Sequence, residues 1–249
     1  ERIDKNGAVE RALSIADAEA QVDALLAEKV DAIAVCLINS FTNPAHELAI
    51  KDVIARKAPG LPVSISYEVL PEIKEYERTS TTVINAYVMP VVATYLKALR
   101  LGLDKAGIPA PLLIMQSNGG LTTDRDAGER PMNIIESGPA AGVVGAEKVA
   151  RAEGLARIIT FDMGGTTAKA SMVEDGQVMR AQEQSVGAGL MAGSRLLTGA
   201  GYALKVPAID LAEIGAGGGS LVRVDAGGAL QVGPESAGAF PGPVCYGKG

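Results

Sequence analysis

The first half of the chain alternates between helix-like and strand-like spacing of its apolar residues. Between Ile15 and Leu26, apolar side chains recur at three- and four-residue intervals, which predicts a helix. Ala32 to Ile38 is a continuous apolar run, typical of a buried parallel strand. Asn43-Pro44 begins a second helix and Pro62 to Tyr67 forms a second strand. This order predicts an α/β fold with a mostly parallel sheet covered by helices.

The pattern on either side of this region predicts further elements. Residues 1–13 suggest a β-hairpin with Asn6-Gly7 as its two-residue turn. Thr79 to Ala106 is a long helical stretch, and Pro111 to Gln116 returns as a strand. Gly138 to Glu153 predicts another helix, whose first turns carry small side chains. Helices and strands therefore continue to alternate through the middle of the chain.

The last quarter of the chain, from residue 187 onward, is rich in glycine, which favours loops and tight turns over helices. Within it, Leu221 to Asp225 and Ala229 to Val232 are separated by Ala-Gly-Gly. This spacing predicts a β-hairpin.

The stretch RIITFDMGGTTAKASMVEDG, residues 157–176, is the most informative part of the chain. An apolar β-type run ends at Asp162, and a glycine turn with two hydroxyl residues follows. Backbone N–H groups in such a turn form a concavity that suits phosphate. A carboxylate beside phosphate requires a bridging cation, so Asp162 implies Mg²⁺, held through water. The residues of the turn are Gly164, Gly165, Thr166 and Thr167.

The residues after this turn distinguish between kinds of nucleotide-binding fold. Dinucleotide-binding and Walker loops lead from a strand into a helix. Here the following residues are small and β-branched, and Asp175-Gly176 is a hairpin-turn signal. The sequence therefore predicts strand, glycine turn and strand.

Strand, glycine turn and strand is the arrangement found in actin-like ATPases and sugar kinases. Five segments carry a more specific resemblance: EYERTSTTVINAYV (75–88), ESGPAAGVVGA (136–146), FDMGGTTAK (161–169), IGAGGGS (214–220) and GPVCYGKG (242–249). All five resemble the hydantoinase/5-oxoprolinase family, A-type subunit. The resemblance implies an actin-like ATPase (ribonuclease H-like) architecture with parallel and mixed sheets and flanking helices, incomplete in this chain.

The resemblance also implies a domain organisation. Family members carry two phosphate loops, and only the second has a counterpart here. We therefore expect an internal fragment that lacks the first phosphate loop and the C-terminal part. Residues 1–110 would be the C-terminal part of the N-terminal lobe. Residues 111–249 would be the start of the hydantoinase A domain, with the second phosphate-binding hairpin.

The function implied by the resemblance is ATP-dependent hydrolysis of cyclic amides such as hydantoins or 5-oxoproline. Mg·ATP would phosphorylate the amide oxygen before water opens the ring, a reaction that depends on positioning and charge neutralisation. A B-type subunit or domain is the expected partner, in an oligomer, and the fragment alone is expected to be inactive. Two alternatives stay open: an ATP-dependent ketone (acetone-type) carboxylase subunit, and a non-catalytic nucleotide-gated scaffold module.

Two glycine-containing turns are further candidates. The loop of IGAGGGS is either a tight structural turn or, on the resemblance, a loop at the nucleotide or substrate cleft. Its candidate nucleotide-binding residues are Gly217, Gly218 and Gly219. Asn118 lies in a Ser-Asn-Gly-Gly turn at the carboxyl end of a strand, where open α/β sheets bind ligands. A purely local turn explains Asn118 equally well.

Three charged positions also have two interpretations each. Glu136 precedes a helix and is a candidate for binding metal or orienting water, while Ser137 is the candidate N-cap. Lys169 stands where many relatives carry Asp. Its ammonium would contact a phosphate or the substrate's carboxylate, or would point into solvent. Arg78 either forms an ion pair with neighbouring glutamates or lies exposed to solvent in the first turn of a helix.

Composition narrows the classes of function. A net charge of −6, a pI near 5.0 and the absence of Trp argue against nucleic-acid binding. No apolar run approaches the roughly 18 residues that span a bilayer, so we expect no membrane partner and a cytoplasmic protein. The single histidine, His46, excludes a histidine-cluster metal site within these residues. Cys36 and Cys245 are expected to be reduced thiols.

Overall fold

The computed structural model describes residues 1–186, 201–238 and 240–248, and all of their side chains except that of residue 234. The glycine-rich stretch at 187–200 therefore lies outside the described residues. The chain divides into two compact units. The first comprises Glu1–Ile114, Leu121–Ile135 and Ala203–Val206, and the second comprises Met115–Gly120, Glu136–Tyr202 and Pro207–Gly249. Sheets and helices are mixed along the chain, which confirms the predicted α/β class.

The elements up to residue 105 are β1 (Arg2–Ile3), β2 (Val9–Arg11), α1 (Ile15–Ala27), β3 (Ile33–Val35), α2 (Ala45–Lys57), β4 (Val63–Ile65), α3 (Ser66–Val69) and α4 (Glu75–Lys105). There follow β5 (Leu113–Met115), β6 (Leu121–Thr123), α5 (Asp124–Glu129), a 3-10 turn (Pro131–Ile134), α6 (Ser137–Ala152), β7 (Ile158–Met163) and β8 (Ala168–Glu174). The remaining elements are β9 (Gln177–Val178), β10 (Arg180–Ala181), β11 (Gln184–Val186), β12 (Tyr202–Leu204), β13 (Ala208–Ile209), β14 (Ala212–Ile214), β15 (Ser220–Val224), β16 (Leu230–Ser236) and a 3-10 turn (Val244–Tyr246).

The core of the first unit is the β-α-β arrangement that the apolar spacing predicts. Strands β3 and β4 pair in parallel, and α1 and α2 pack beside them. Helix α1 begins after the predicted N-cap Ser14, whose Oγ accepts the backbone N–H of Asp17 at 3.2 Å. Burial of each large apolar side chain stabilises the unit by about 1.5–3 kcal/mol. The buried cluster consists of Val22, Ile33, Val35, Val53, Ile54 and Ile65.

The N-terminal hairpin forms, but its turn is not the predicted two-residue Asn6-Gly7 turn. The N–H of Gly7 donates to the carbonyl of Asp4 at 3.1 Å, so Lys5 and Asn6 occupy the centre of the turn. Gly7 follows it with φ of 87°. The carboxylate of Asp4 accepts the N–H groups of Asn6 and Ala8, and this local bonding explains why the turn begins at Asp4.

Two charged side chains lie fully inside the first unit, and the solvated helix entrance expected at Arg78 is wrong. Arg78 is 0% exposed and donates to Ser40 Oγ at 2.6 Å and to the carbonyl of Leu37 at 2.9 Å. The carboxylate of Glu47, also buried, accepts from Ser66 Oγ at 2.6 Å. The two serine hydroxyls lie 3.1 Å apart. Because a buried charge is costly without hydrogen bonds, this serine relay between opposite charges makes burial tolerable.

Helix α4 is continuous over 31 residues, with Pro90 inside it. Contrary to the composition-based expectation, it contains an 18-residue window with a mean hydropathy of 1.3, of which 22% is buried. Within the described residues it is the one helix long and apolar enough to cross a membrane, by length and composition only. Its inner side carries the buried polar residues Thr81, Thr82 and Asn85, and it packs against β3 and β4. We therefore interpret α4 as a structural helix of the first unit.

The second unit is built on a sheet with the order β14-β8-β7, in which β9 pairs with the end of β8. Strands β7 and β8 are antiparallel along their whole length. Helix α6 packs on one face of this sheet, and the order of helix, strand and glycine turn is the one that the sequence predicts. The buried cluster between helix and sheet consists of Ala140, Val143, Val173 and Ile209.

Two hairpin turns of the second unit follow the sequence signals closely. Between β8 and β9, Asp175 and Gly176 have φ of 50° and 73°, and positive φ at both central residues is the requirement of a type I′ turn. The predicted hairpin around residue 226 is confirmed by the antiparallel pairing of β15 and β16. Asp225 lies at the base of its turn.

Candidate functional site

The predicted phosphate-binding turn lies between two antiparallel strands, as the sequence indicates. Strand β7 ends at Met163 and β8 begins at Ala168, and these two residues face each other across the hairpin. The N–H of Gly164 donates to the carbonyl of Thr167 at 2.9 Å, which closes the turn. A strand follows the glycines, so the strand-to-helix geometry of dinucleotide and Walker loops is excluded here.

This turn leaves backbone donors for a ligand. Among the residues that the structure describes, none accepts a hydrogen bond from the N–H groups of Gly165, Thr166 and Thr167. A Cβ placed on Gly164 would meet only the Thr167 carbonyl oxygen, at 3.8 Å, so the space beside this exposed glycine is not filled by the described protein atoms. Successive N–H groups without acceptors among the described residues fit an anion such as a phosphate.

The second glycine loop packs directly on the first. The N–H of Gly218 donates to the carbonyl of Gly164 at 2.9 Å, and the N–H of Gly219 donates to the carbonyl of Gly165 at 2.7 Å. The two glycine-rich segments, about 50 positions apart in the sequence, therefore form one backbone-lined surface. These bonds use the carbonyl oxygens of the turn. Acceptors that would repel a phosphate are thereby occupied.

Close backbone approach explains why the second loop consists of glycine. A Cβ on Gly217 would lie 2.7 Å from both the Gly164 oxygen and the Thr167 nitrogen, and one on Gly219 would lie 2.8 Å from the Gly165 oxygen. Real Cβ atoms do not come so near to backbone. Neither Gly217 nor Gly219 is among the described glycines with positive φ, so space rather than torsion sets the requirement.

The charged groups beside the turn are Asp162 and Lys169, which are directly opposite each other across β7 and β8. Asp162 is exposed, and its carboxylate makes no hydrogen bond or ion pair with the described residues. Lys169 has only 14% of its side chain exposed and makes ion pairs with Glu136 and with Glu213, the latter at 3.5 Å. Its ammonium therefore neither points into solvent nor lies free for a ligand. It is held by two carboxylates.

The pKa of Lys169 reflects these two partners. Burial alone would lower the pKa of this ammonium, but the hydrogen bond and the charge of Glu136, with a further contribution from Glu213, raise it above its ordinary value. Lys169 is therefore a permanent positive charge beside the turn near neutral pH.

Glu136 occupies the N-cap position of α6, and the cap predicted at Ser137 is wrong, because Ser137 is already the first helical residue. Glu136 has φ of 66° and ψ of 19°, the left-handed conformation, which costs a non-glycine residue roughly 1–2 kcal/mol. Its side chain makes no capping bond and instead reaches Lys169. Such backbone strain is often found beside functional sites.

Asn118 has a local role in its turn. Its Oδ1 accepts the N–H of Gly120 at 2.8 Å, and its Nδ2 donates to Gln116 Oε1 at 3.2 Å. Gly119 has φ of 85°, and a Cβ there would come within 2.9 Å of Val144. Both polar atoms of Asn118 are thus engaged within the turn, which favours the local interpretation over a ligand contact.

Two residues near the turn escaped the sequence interpretation. Glu213 lies on β14, directly opposite Lys169 on β8, and this pairing of distant strands brings it to the ammonium. Ser220 Oγ accepts the N–H of Gly217 at 2.8 Å and helps to fix the glycine loop. The only sequence signal for Glu213 is its position one residue before IGAGGGS.

Comparison with known proteins adds the following similarities. A family model described as "Hydantoinase/oxoprolinase" matches residues 78–249, and one described as "Hydantoinase/oxoprolinase N-terminal region" matches residues 1–58. Caprolactamase subunit alpha of Pseudomonas jessenii is 38% identical over 248 residues, which cover 100% of this chain and 34% of that protein. The 5-oxoprolinase of Saccharomyces cerevisiae is 36% identical over 227 residues, covering 90% of this chain and 16% of that protein.

Solved structures of two ATP-dependent enzymes are similar to this chain. The crystal structure of ATP-dependent caprolactamase from Pseudomonas jessenii superposes with a TM-score of 0.75 at 38% identity, covering 99% of this chain and 34% of that one. A nucleotide-free structure of acetone carboxylase superposes with a TM-score of 0.77 at 26% identity, covering 96% of this chain and 32% of that one. The chain thus spans about a third of the caprolactamase and carboxylase chains that it matches.

Proposed function

Because the chain belongs to the hydantoinase/oxoprolinase family, we propose that it is the part of an ATP-dependent cyclic amide hydrolase that holds the polyphosphate of ATP. The observation that carries this proposal is the β-hairpin turn, in which three successive backbone N–H groups have no acceptor among the described residues and the neighbouring carbonyls are occupied. The architecture proposed is that of the actin-like ATPases, whose phosphate-binding hairpins have this strand-turn-strand form.

Each residue of the turn has a defined role in this proposal. The N–H groups of Gly165, Thr166 and Thr167 bind phosphate oxygens, and the two threonine hydroxyls add further donors. Gly164 leaves the space in which a phosphate approaches the backbone. The Gly217–Gly219 loop holds the turn in place from behind. Stabilisation of phosphoryl transfer by such fixed donors is largely electrostatic.

The residues present also fit Mg²⁺, which would accompany ATP. Asp162 offers an exposed carboxylate that has no partner among the described residues, next to the proposed phosphate position. Within the described residues there is no group of three metal-type side chains, so a fully protein-coordinated site is not formed there. The carboxylate of Asp162 would hold the ion through water. Mg²⁺ would neutralise phosphate charge during transfer.

The proposed reaction consumes ATP as a co-substrate. The γ-phosphoryl group passes to the amide oxygen of the ring and ADP leaves. Water then attacks the amide carbon, the ring C–N bond breaks, and phosphate is released with the ring-opened product. Lys169 lies beside the turn but is paired with carboxylates, so we assign it the positioning of Glu136 and β14 rather than a phosphate contact.

The test is phosphate release by the complete natural protein, with hydantoins, 5-oxoproline and caprolactam as added substrates. We expect release that depends on both Mg·ATP and one of these cyclic amides. Asp162→Asn should lower kcat at least about a hundredfold. Asp175→Asn, in the exposed turn at the other end of β8, is the matched control and should leave kcat within about twofold. Substrate-independent phosphate release, or equal effects of the two substitutions, would contradict the proposal.

A ketone carboxylase is the second candidate, favoured by the similarity to acetone carboxylase. Both reactions activate a carbonyl oxygen by phosphorylation, so the turn serves either one. The same assay with acetone or acetophenone plus bicarbonate separates them. Release of phosphate with ketones and bicarbonate but not with cyclic amides would select the carboxylase.

A partner subunit is also part of the proposal. The similar caprolactamase polypeptide is named as an alpha subunit, which supports an assembly with a second, B-type subunit. Co-purification of the complete protein with the product of a neighbouring B-type gene would test this. A protein fully active on its own would contradict it.

A further inference from the structure

The charged residues around Lys169 lie on one face of the sheet in the second unit. Asp162 on β7 and Glu213 on β14 are the residues directly opposite Lys169, one on each side of β8. Opposite residues of antiparallel strands point to the same face of a sheet, so these three side chains form a row. The carboxylate of Glu136, at the N-terminal end of α6, reaches the same ammonium. Three separate elements therefore bring a carboxylate to the face that carries Lys169.

Two of these carboxylates hold the ammonium in place. Glu136 pairs with it, and Glu213 Oε1 lies 3.5 Å from Lys169 Nζ. The lysine side chain is only 14% exposed, although a lysine usually extends its ammonium into water. The left-handed backbone at Glu136, with φ of 66°, persists only where the surrounding structure fixes it. The ammonium thus occupies a position between two carboxylates, where one would suffice for a neutral ion pair.

The charges of this face match the charge of one divalent ion. Three carboxylates against one ammonium leave a net charge of −2, which a single Mg²⁺ neutralises. No other lysine or arginine among the described residues pairs with Asp162, Glu136 or Glu213. Without the ammonium the same carboxylates would carry −3 and would call for a second cation, because unneutralised carboxylates repel the polyphosphate of ATP.

We propose that the Lys169 ammonium takes the place of a second metal ion, so that the site works with the single Mg²⁺ that accompanies ATP. This inference rests on the proposed function, in which Asp162 holds that ion through water. The spacing is similar, because neighbouring strands lie about 4.7–4.9 Å apart and the ions of two-metal sites are about 3.5–4 Å apart. An ammonium fixed by the fold also needs no binding step of its own.

Binding of Mn²⁺ to the complete natural protein without nucleotide, followed by electron paramagnetic resonance, tests this proposal. Lys169→Met keeps the length of the lysine stem but removes the ammonium, so we expect it to bind one more Mn²⁺ per chain than the natural protein at about 1 mM free metal. Lys169→Arg keeps the positive charge and should bind no additional ion. Lys57→Met, which removes an exposed ion pair with Asp23, is the matched control and should also bind none.

A second substitution identifies the carboxylates that hold the additional ion. Adding Glu213→Gln to Lys169→Met should abolish the additional site. Circular dichroism checks that each variant is folded, and Lys169→Gln takes the place of Lys169→Met if the latter does not fold. An unchanged Mn²⁺ count in the folded variant, a gain in Lys57→Met, or a gain that survives Glu213→Gln would overturn the proposal.

The number of metal ions used in the reaction gives a second readout. At saturating Mg·ATP, phosphate release by the natural protein should not rise with additional free Mg²⁺, whereas release by Lys169→Met should require it. A dependence of the natural protein on free Mg²⁺ would overturn the proposal even if that protein hydrolyses cyclic amides. Because the Mn²⁺ titration needs neither ATP nor substrate, an absence of phosphate release would contradict the proposed function without altering the binding result.

Discussion

At the scale of the residue, the tightest geometric requirement near the candidate site falls on Gly217. Its missing Cβ makes room for the backbone of the turn that we propose to bind phosphate, and the nearest atoms are main-chain atoms that cannot move independently. Gly218 next to it has ordinary space, with Pro243 Cγ at 3.4 Å from a hypothetical Cβ. Gly217 therefore leaves no room for a side chain, whereas Gly218 does.

Gly217→Ala should therefore destabilise the second unit by about 1–3 kcal/mol, because the hairpin turn must shift to admit a methyl group. Gly218→Ala is the matched control and should change the free energy of unfolding by no more than about 0.5 kcal/mol. Urea unfolding of both variants measures the difference. Equal stability of the two variants would show that the loops do not pack as described.

Lys169 leads to a prediction about pH. Its folded pKa is raised, so the stability that it contributes is fully present below the unfolded lysine pKa of about 10.4. That contribution is lost as the pH rises through the folded pKa. The difference in unfolding free energy between the natural protein and Lys169→Met should hence be constant near neutral pH and shrink above about pH 10.4.

Urea unfolding at a series of pH values measures this difference. Lys57→Met, which removes an exposed ion pair with Asp23, is the control and should have a smaller effect at neutral pH. A Lys169→Met difference that does not vary up to pH 12 would contradict the assigned ion pairs.

At the scale of the element, sequence patterns predicted the turns, helices and strands that depend on residues close together in the chain. The hairpin at Gly164 and the turns at 175–176 and 226–228 follow from local glycine and Asp-Gly signals, and the structure has all three. Apolar spacing likewise predicted the β3-α2-β4 unit, although the strands are shorter than the apolar runs.

What sequence reasoning missed depends on contacts between distant segments. Ser137 is a good N-cap residue in isolation, but Lys169, more than 30 positions away, pairs with Glu136 in a left-handed conformation at that position. Arg78 has the sequence context of a surface residue, but hydrogen bonds through Ser40 and Ser66 connect it to the buried Glu47. Neither arrangement has a periodic signature. The convergence of Glu213 on Lys169 was missed for the same reason.

The β15–β16 hairpin gives a prediction at this scale. The pKa of Asp225 is lowered by the N–H of Ala229, by the side chain of Gln231 and by the N–H of Gly227, in that order. A lowered pKa means that the contribution to stability is present above the unfolded value of about 3.9 and lost as the pH falls through the folded value.

Hydrogen exchange at the Ala229 amide should therefore accelerate relative to the rest of the hairpin as the pH drops below about 4, after correction for intrinsic exchange rates. Asp225→Ala should show fast exchange there already at pH 7, whereas Asp225→Asn should retain part of the protection. Unchanged protection in Asp225→Ala would mean that the side chain does not hold this turn.

At the scale of the whole molecule, this chain covers only part of the polypeptides that it resembles. The caprolactamase and acetone carboxylase chains are about three times as long. The family resemblance implies that the whole protein uses two phosphate loops. We propose that the turn at Gly164 is one of them. We therefore expect residues 1–249 by themselves to bind Mg·ATP weakly and to turn over no substrate.

Calorimetry on residues 1–249 measures this directly, with the complete natural protein as the control. We expect no binding below about millimolar concentrations of Mg·ATP for residues 1–249, since the proposal assigns only one of two phosphate loops to them. Micromolar affinity would show that the second hairpin suffices on its own.

The backbone hydrogen bonds between the two glycine loops continue to the end of β16. Gly219 receives the N–H of Ala237 on its own carbonyl at 2.7 Å, so the turn at Gly164, the loop at 217–219 and the end of β16 form an unbroken relay of main-chain hydrogen bonds. We therefore expect a displacement of the turn to be transmitted through these bonds to the β15–β16 hairpin. A fluorophore attached at the tip of this hairpin would then report nucleotide binding at the turn from a distance.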